Sequence, residues 1–583
     1  MGIHVKQEGQ PRKKHGCLWT IIVCAVLYVA LCGVVGAMMG NMFSTPTATL
    51  EANTIYRIDL DGVLVEQAPI DNPWAALLSD MPGYSSQTTV GLDDLLSNIR
   101  LAKDNDKVLG IYLRGGSLQM GAASAKAIRD ALLDFKESGK FVVAYADSYG
   151  QMNYYVASAA DKVFLNAIGS VAWDGLSAQK MYYTRLLEKI GVEMQILKVG
   201  TFKSAVEPYF RTSMSDADRA QTKQYINGIW SEMTEKVAAS RHLTAAQLNA
   251  YADECMSLQP EEKYVDYGMV DTLVYVQDMD SVLRAYAGTK EYKTISTSRM
   301  ATVKRASIKA SDEIAVLYAD GQITDDEGNG IVGTEMVKTI KKIAKDDNVK
   351  AVVLRVNSPG GSADASEQIW HAVKTLQAKG LPVVVSMGDY AASGGYYISC
   401  EADYIYAEPT TLTGSIGIFG TVPNLGKLRD KVGIDIDGVG TNRHSDMQVN
   451  MVYKGMNPEE YRLMQDMVER GYDLFTRRCA EGRGMTQDAI KAIGEGRVWL
   501  GKDAVEIGLV DEPGNINDAI GKAAELAALE QYAITYYPEV EDPMETLLSM
   551  FDNTTPEERL VLKVREFVSK PRVMALMPNV TIQ

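Results

Sequence analysis

The sequence predicts an α/β protein in which one domain occurs twice behind a single membrane-crossing helix. Three observations carry that reading. Ordered internal matches recur over about 200 residues, β-branched runs alternate with amphipathic helices, and one long uncharged segment stands near the start.

The uncharged segment runs from Cys17 to Met39, 23 residues rich in Leu, Ile, Val, Ala and Met. A helix rising about 1.5 Å per residue reaches roughly 34 Å over that length, enough to cross a bilayer's hydrocarbon core. It exceeds the apolar core of about 7–15 residues in a cleavable signal peptide, so residues 17–43 read as an uncleaved signal anchor. Lys6, Arg12, Lys13 and Lys14 precede it against Glu8 alone. Residues 1–16 are therefore expected to stay in the cytoplasm, with everything after the helix exported.

The matches define the copies. Asp147 and Asp389, Tyr154 and Tyr396, and Asp161 and Asp403 are each 242 positions apart. Leu113-Arg114 pairs with Leu354-Arg355, Gly169-Ser170-Val171 with Gly414-Ser415-Ile416, and Gly268-Met-Val-Asp271 with Gly508-Leu-Val-Asp511. The expected organisation is a first repeat at 52–295, a linker at 296–312, a second repeat at 313–540 and a carboxy-terminal extension at 541–583.

Each copy should open with a strand, Ile55–Glu66 and Glu313–Thr324. In the second copy a helix over Thr334–Ala344 follows, then a β-branched run, Ala351–Val356, of the kind buried on both sheet faces. The next helix, about Ala363–Ala378, stops at Gly380 with Pro382 just beyond, and Val383–Met387 is a further buried strand. This alternation predicts largely parallel strands with right-handed crossovers. Polar amphipathic helices at Ser215–Ser240 and Pro458–Ala480 suit an outer layer or an oligomer contact, and Glu557–Ser569 reads as a terminal helix.

Composition narrows the function. Hydrophobic residues make up 46% and charged residues 23%, a globular balance, and 59 basic against 75 acidic residues give a net charge of −16. Such a chain, with no basic patch, repels a phosphate backbone, so no nucleic acid partner is expected. Cys255, Cys400 and Cys479 have no metal-ligand spacing, so neither a zinc site nor another cofactor is expected.

A duplication is its own control: shared residues build the fold, and chemistry can reside where the copies differ. The second copy has Asn357-Ser-Pro-Gly-Gly-Ser362 where the first has the shorter Arg114-Gly-Gly-Ser117. It also has Asp389-Tyr-Ala-Ala-Ser-Gly-Gly-Tyr396, with Gln151 of the first copy standing in the place of Ser393. Ser393 is thus a candidate nucleophile at a strand-to-helix turn. Backbone N–H groups of Gly360 or Gly361 and of Gly394 are candidates for an oxyanion site, since glycine lets a substrate approach the backbone closely.

The nucleophile needs a base. His242 and His371 fall in helical contexts that suit structural roles, while His444 competes as a base. Val199-Gly-Thr-Phe-Lys203 matches Val439-Gly-Thr-Asn-Arg443, placing a lysine in the first copy against an arginine in the second. Arginine stays charged, whereas a desolvated lysine can fall towards neutrality. A Ser393–Lys203 dyad assembled across the duplication fits this asymmetry. Ser415 in Thr413-Gly-Ser-Ile-Gly417 recurs as Ser170, so it is a turn residue by default, with a hydroxyl able to orient the lysine.

These motifs resemble those of the signal peptide peptidases in their long, protease IV form, which belong to the Ser–Lys peptidases with the ClpP/crotonase fold. The resemblance covers about Thr54 to Ala527 and rests on 199–208, 357–361, 389–396 and 413–417. It implies Ser393 as nucleophile, Lys203 as general base, and a membrane-tethered, periplasmic homotetramer that cuts released signal peptides within their hydrophobic cores. A crotonase-type acyl-CoA enzyme and a non-catalytic membrane scaffold are the alternatives.

Overall fold

The structure, a computed structural model, describes residues 48–68, 88–303, 310–328, 330–538, 572–577 and 581–582. The expected anchor at 17–43 and the helix at Glu557–Ser569 lie outside those residues. Among the described residues no helix is long and apolar enough to cross a membrane.

Two parallel sheets repeat one another. In the first, the strands run in the order Lys293–Ser296, Thr54–Asp59, Val108–Arg114, Phe141–Ala146, Lys162–Leu165 and Thr272–Leu273, all parallel. In the second, Ala533–Tyr537, Glu313–Asp320, Val349–Ser358, Val383–Ala392, Tyr404–Ala407 and Glu512–Pro513 take the equivalent places, again parallel. The β-branched sequence of Val349–Ser358 explains its central position, with almost every residue buried.

The opening strands are shorter than the sequence suggests. Ile55–Glu66 divides into Thr54–Asp59 and Val63–Val65, and Glu313–Thr324 into Glu313–Asp320 and Ile323–Thr324. Gly62 and Gly321 sit at the breaks with φ of 100° and 97°, a backbone that a side chain disfavours. The strand expected at Val383–Met387 runs on to Ala392 and divides its pairing. Its first part adjoins Tyr404–Ala407 and its last part Leu412–Gly414, which pairs in turn with Val498–Leu500. Helix Ala363–Ala378 has the expected bounds, its first turn capped by the Ser362 hydroxyl accepting from the Ala365 amide.

The copies are not separate bodies. One buried cluster includes Tyr56, Leu113 and Tyr154 together with Val316, Val353 and Leu500. Glu66 forms a two-pronged pair with Arg355 at 2.9 and 3.1 Å, both side chains buried. Asp389 reaches across to the first copy's helix Ala122–Lys136, accepting from the Ala123 and Ser124 amides and the Ser124 hydroxyl.

A third sheet completes the join. Its order is Ile331–Val332, Ile323–Thr324, Gly360–Ser362, Arg572–Leu576, Phe419–Asn424 and Glu193–Lys198. Glu193–Lys198 comes from the first copy and pairs antiparallel with Phe419–Asn424 of the second, Lys198 opposite Phe419. That pairing delivers the next residues, Val199 to Lys203, to the second copy's site.

Candidate active site

Ser393 sits between the end of strand Val383–Ala392 and the start of helix Gly394–Ser399. Its φ of 57° and ψ of −113° mark a strained turn that projects the side chain off the sheet. The Ser393 amide donates to the Gly414 carbonyl at 2.8 Å and its carbonyl accepts from the Tyr397 amide, so the turn is pinned on both sides.

Lys203 begins the short helical turn Ser204–Tyr209. Its Nζ lies 2.7 Å from Ser393 Oγ, 3.1 Å from the Ser415 carbonyl oxygen and 3.2 Å from Ser415 Oγ. The three residues are fully buried. Burial alone pushes Lys203 well below the usual lysine range, and no carboxylate contributes to the shift. Ser415, at φ 50°, also donates its hydroxyl to the Gly496 carbonyl at 3.2 Å, which leaves its oxygen free to accept from Lys203. The turn residue therefore also orients the amine.

The lysine side chain passes through a slot made of glycine. A Cβ on Gly496 would stand 2.6 Å from Lys203 Cβ, and one on Gly417 would stand 3.3 Å from Lys203 Cδ. Gly496 has no counterpart among the sequence-derived candidates, because Glu495-Gly-Arg497 resembles an ordinary turn and gains meaning only from what it faces. The same holds for Gln221, whose amide group donates to the Phe202 carbonyl at 3.0 Å and accepts from the Val498 amide at 3.2 Å. It ties the lysine loop to the strand that pairs with Leu412–Gly414. Beside it, buried Asp218 accepts from the Ser204 hydroxyl and from Lys180, anchoring the residue after Lys203.

The glycines divide in role. The Gly360 amide donates to Ser358 Oγ at 3.1 Å, so of the two candidate donors in this segment it is already engaged. Gly360–Ser362 is an extended strand. The other bases lie elsewhere. His444 faces Glu459 and Glu460, Arg443 is exposed and paired with Glu459, His371 is within a helix and His242 ends one. In the first copy Gln151 bonds to the Asp174–Gly175 backbone, and Ser170 faces Ser148. Among the described residues of the first copy no such serine–lysine pair forms.

The peptidase family S49 pattern matches residues 134–290 and 375–530, once in each copy. The chain belongs to peptidase family S49. It is 38% identical over 522 residues to Protease 4 of Salmonella typhi, spanning 87% of this chain and 83% of that one. Protease 4 of Haemophilus influenzae is 34% identical, covering 86% and 85%. The chloroplastic serine protease SPPA of Arabidopsis thaliana is 29% identical, covering 77% and 68%. ClpP1 of Listeria monocytogenes aligns with 35% of this chain at 16% identity and a TM-score of 0.25, so the fold rests on the two parallel sheets themselves. The S49 chain is a serine protease, and the acyl-CoA enzyme and scaffold readings give way to it.

Proposed function

We propose that this S49 protease is a membrane-anchored endopeptidase that degrades signal peptides after their release. Lys203, whose hold on a proton is weakened by desolvation, takes the Ser393 proton in its neutral form as the hydroxyl attacks a peptide carbonyl. The Gly361 and Gly394 amides stabilise the oxyanion, and Lys203 then protonates the leaving amine before water hydrolyses the acyl-enzyme. The single observation that carries the reaction is the 2.7 Å approach of Lys203 Nζ to Ser393 Oγ inside a fully buried site.

The substrate and setting rest on the motifs shared with signal peptide peptidases and on the uncharged Cys17–Met39 segment. In this reading the amino-terminal helix holds the body at the extracytoplasmic face of the inner membrane, and the body works as a homotetramer. The test is cleavage of a Leu-rich signal peptide by wild-type protein in membranes, compared with folded Ser393→Ala and Lys203→Ala proteins. Cleavage at the wild-type rate by either variant overturns the dyad. Cleavage of casein but not of the signal peptide overturns the substrate class.

A further inference from the structure

We propose that Arg497, stacked between Phe202 and Trp499, is a positioning residue that closes the mouth of the Lys203 slot and keeps water from the amine. The inference rests on the Ser393–Lys203 dyad proposed above and names what sets the working state of its base.

The lysine is fully buried, and that burial is what weakens its hold on a proton, so whatever shuts out water governs the reaction. Residues Glu495 to Arg497 form a strap over it. The Phe202 amide donates to the Glu495 carbonyl at 2.9 Å, the Gly496 amide to the Ile416 carbonyl at 2.7 Å, and the Ser415 amide to the Arg497 carbonyl at 2.6 Å. The strap therefore ties the lysine loop to the turn that carries Ser415.

A stacked layer lies outside the strap. Exposure falls from Thr201 through half-buried Phe202 to buried Lys203, and Arg497 and Trp499 are half-buried beside it. The Arg497 guanidinium carbon stands 5.1 Å from the Phe202 ring centre and 4.1 Å from that of Trp499, within cation–π range of both. Its Nη2 donates to Gln224 Oε1 at 2.7 Å, on the helix that also carries Gln221. The Trp499 indole N–H donates to the Ile493 carbonyl at 2.9 Å, which fixes the second ring. Arg497 Nε is buried and finds no acceptor among the described residues. A donor left unmade is a cost to folding, which fits a guanidinium kept for the plane it lays between the rings.

The duplication again supplies a control. On the frame of Gly268 and Gly508, 240 positions apart, Arg497 falls on Ser257 and Trp499 on Gln259, while the loop match sets Phe202 against Asn442. The stack, like the dyad, occurs once and draws on both copies. The other charged groups around the lysine are engaged elsewhere. Asp218 accepts from Lys180 and the Ser204 hydroxyl, Glu207 from the Ser215 hydroxyl, the Glu495 carboxylate from the Thr201 amide, and the Tyr472 hydroxyl from the Glu495 amide.

The test follows hydrolysis of labelled casein across pH by full-length wild-type, Arg497→Ala, Phe202→Ala and Phe202→Tyr proteins, with melting temperatures alongside. Admitting water returns Lys203 towards its ordinary range. In both alanine variants the rising limb of kcat/KM should move up by about one pH unit or more, with kcat near neutral pH down about tenfold. Activity should recover at high pH and KM stay within about twofold, because the base rather than substrate binding is altered. Phe202→Tyr keeps the ring and should keep the limb where it is. If Arg497→Ala does not fold, the Phe202 pair decides. A limb unmoved in the folded alanine variants, or moved equally by Phe202→Tyr, overturns this inference and leaves the dyad standing. Casein cleavage by wild type with no rising limb overturns Lys203 as the base and this inference with it.

Discussion

Lys203 Nζ and Ser393 Oγ are 190 residues apart in the sequence and 2.7 Å apart in space, within a single chain. Neither copy holds both groups, so in the proposed mechanism the duplicated halves divide one reaction between them. The link that brings them together is the antiparallel pairing of Glu193–Lys198 with Phe419–Asn424.

Replacing Ser393 by Ala, or Lys203 by Ala or Arg, should lower kcat by about 10³-fold or more, as removal of a serine nucleophile or its base does elsewhere. Arginine should fail as completely as alanine because it remains protonated. Circular dichroism and peptide turnover on the same preparations check this.

Activity should rise with pH. Lys203 is a base only when neutral, and burial lowers its affinity for a proton, so kcat/KM should climb through its depressed pKa and level off above it. The same shift has a stability sign. Between the folded pKa and the unfolded value the unfolded chain binds more protons at this site, so its contribution to stability improves as pH rises. Lys203→Met, which removes the buried amine, should be inactive yet melt at a higher temperature than wild type at neutral pH. A lower melting temperature would count against burial as the cause.

Ser415→Ala removes a hydroxyl that accepts from Lys203 Nζ. The loss of one orienting hydrogen bond should lower kcat by about three- to tenfold. Because that acceptor favours the charged amine, the rising limb of the pH profile should move to lower pH. A limb that stays in place would assign Ser415 to the turn alone.

Gly361→Ala should abolish turnover, since a Cβ there would fall 1.9 Å from the Ile323 carbonyl oxygen and must push the neighbouring strand away. Overpacking of this kind costs about 1–3 kcal/mol, so the protein should still fold, with its melting temperature reduced.

Breaking the Glu66–Arg355 pair tests the joint between copies. Arg355→Met leaves Glu66 buried without its partner and should destabilise by about 3–5 kcal/mol. Restoring balance with Glu66→Leu in the same protein should recover much of that loss, as urea unfolding will show.

Local pattern revealed the repeated strands, the helix Ala363–Ala378 and the two residues, Lys203 and Ser393, that meet at 2.7 Å, because β-branched runs, capping residues and a difference between copies are written in adjacent letters. What it did not reveal depends on contacts distant in sequence. The glycine slot at Gly496, the Gln221 clamp and the Asp218 anchor are ordinary residues until the third sheet places them beside Lys203. The breaks at Gly62 and Gly321 are written locally as well, in the turn dipeptides Asp61-Gly62 and Asp320-Gly321, which an unbroken strand reading passes over. The match of Lys203 with Arg443 was useful for its chemistry but not its position, for Arg443 is exposed and bound to Glu459.

The third sheet also sets when the enzyme can first act. A ribosome has finished the base-bearing copy long before Ser393 is made, and the slot around Lys203 needs Gly496, more than a hundred residues later. Until then the growing chain carries an amine with no completed site around it, so under the proposed mechanism the chain stays inert up to that point.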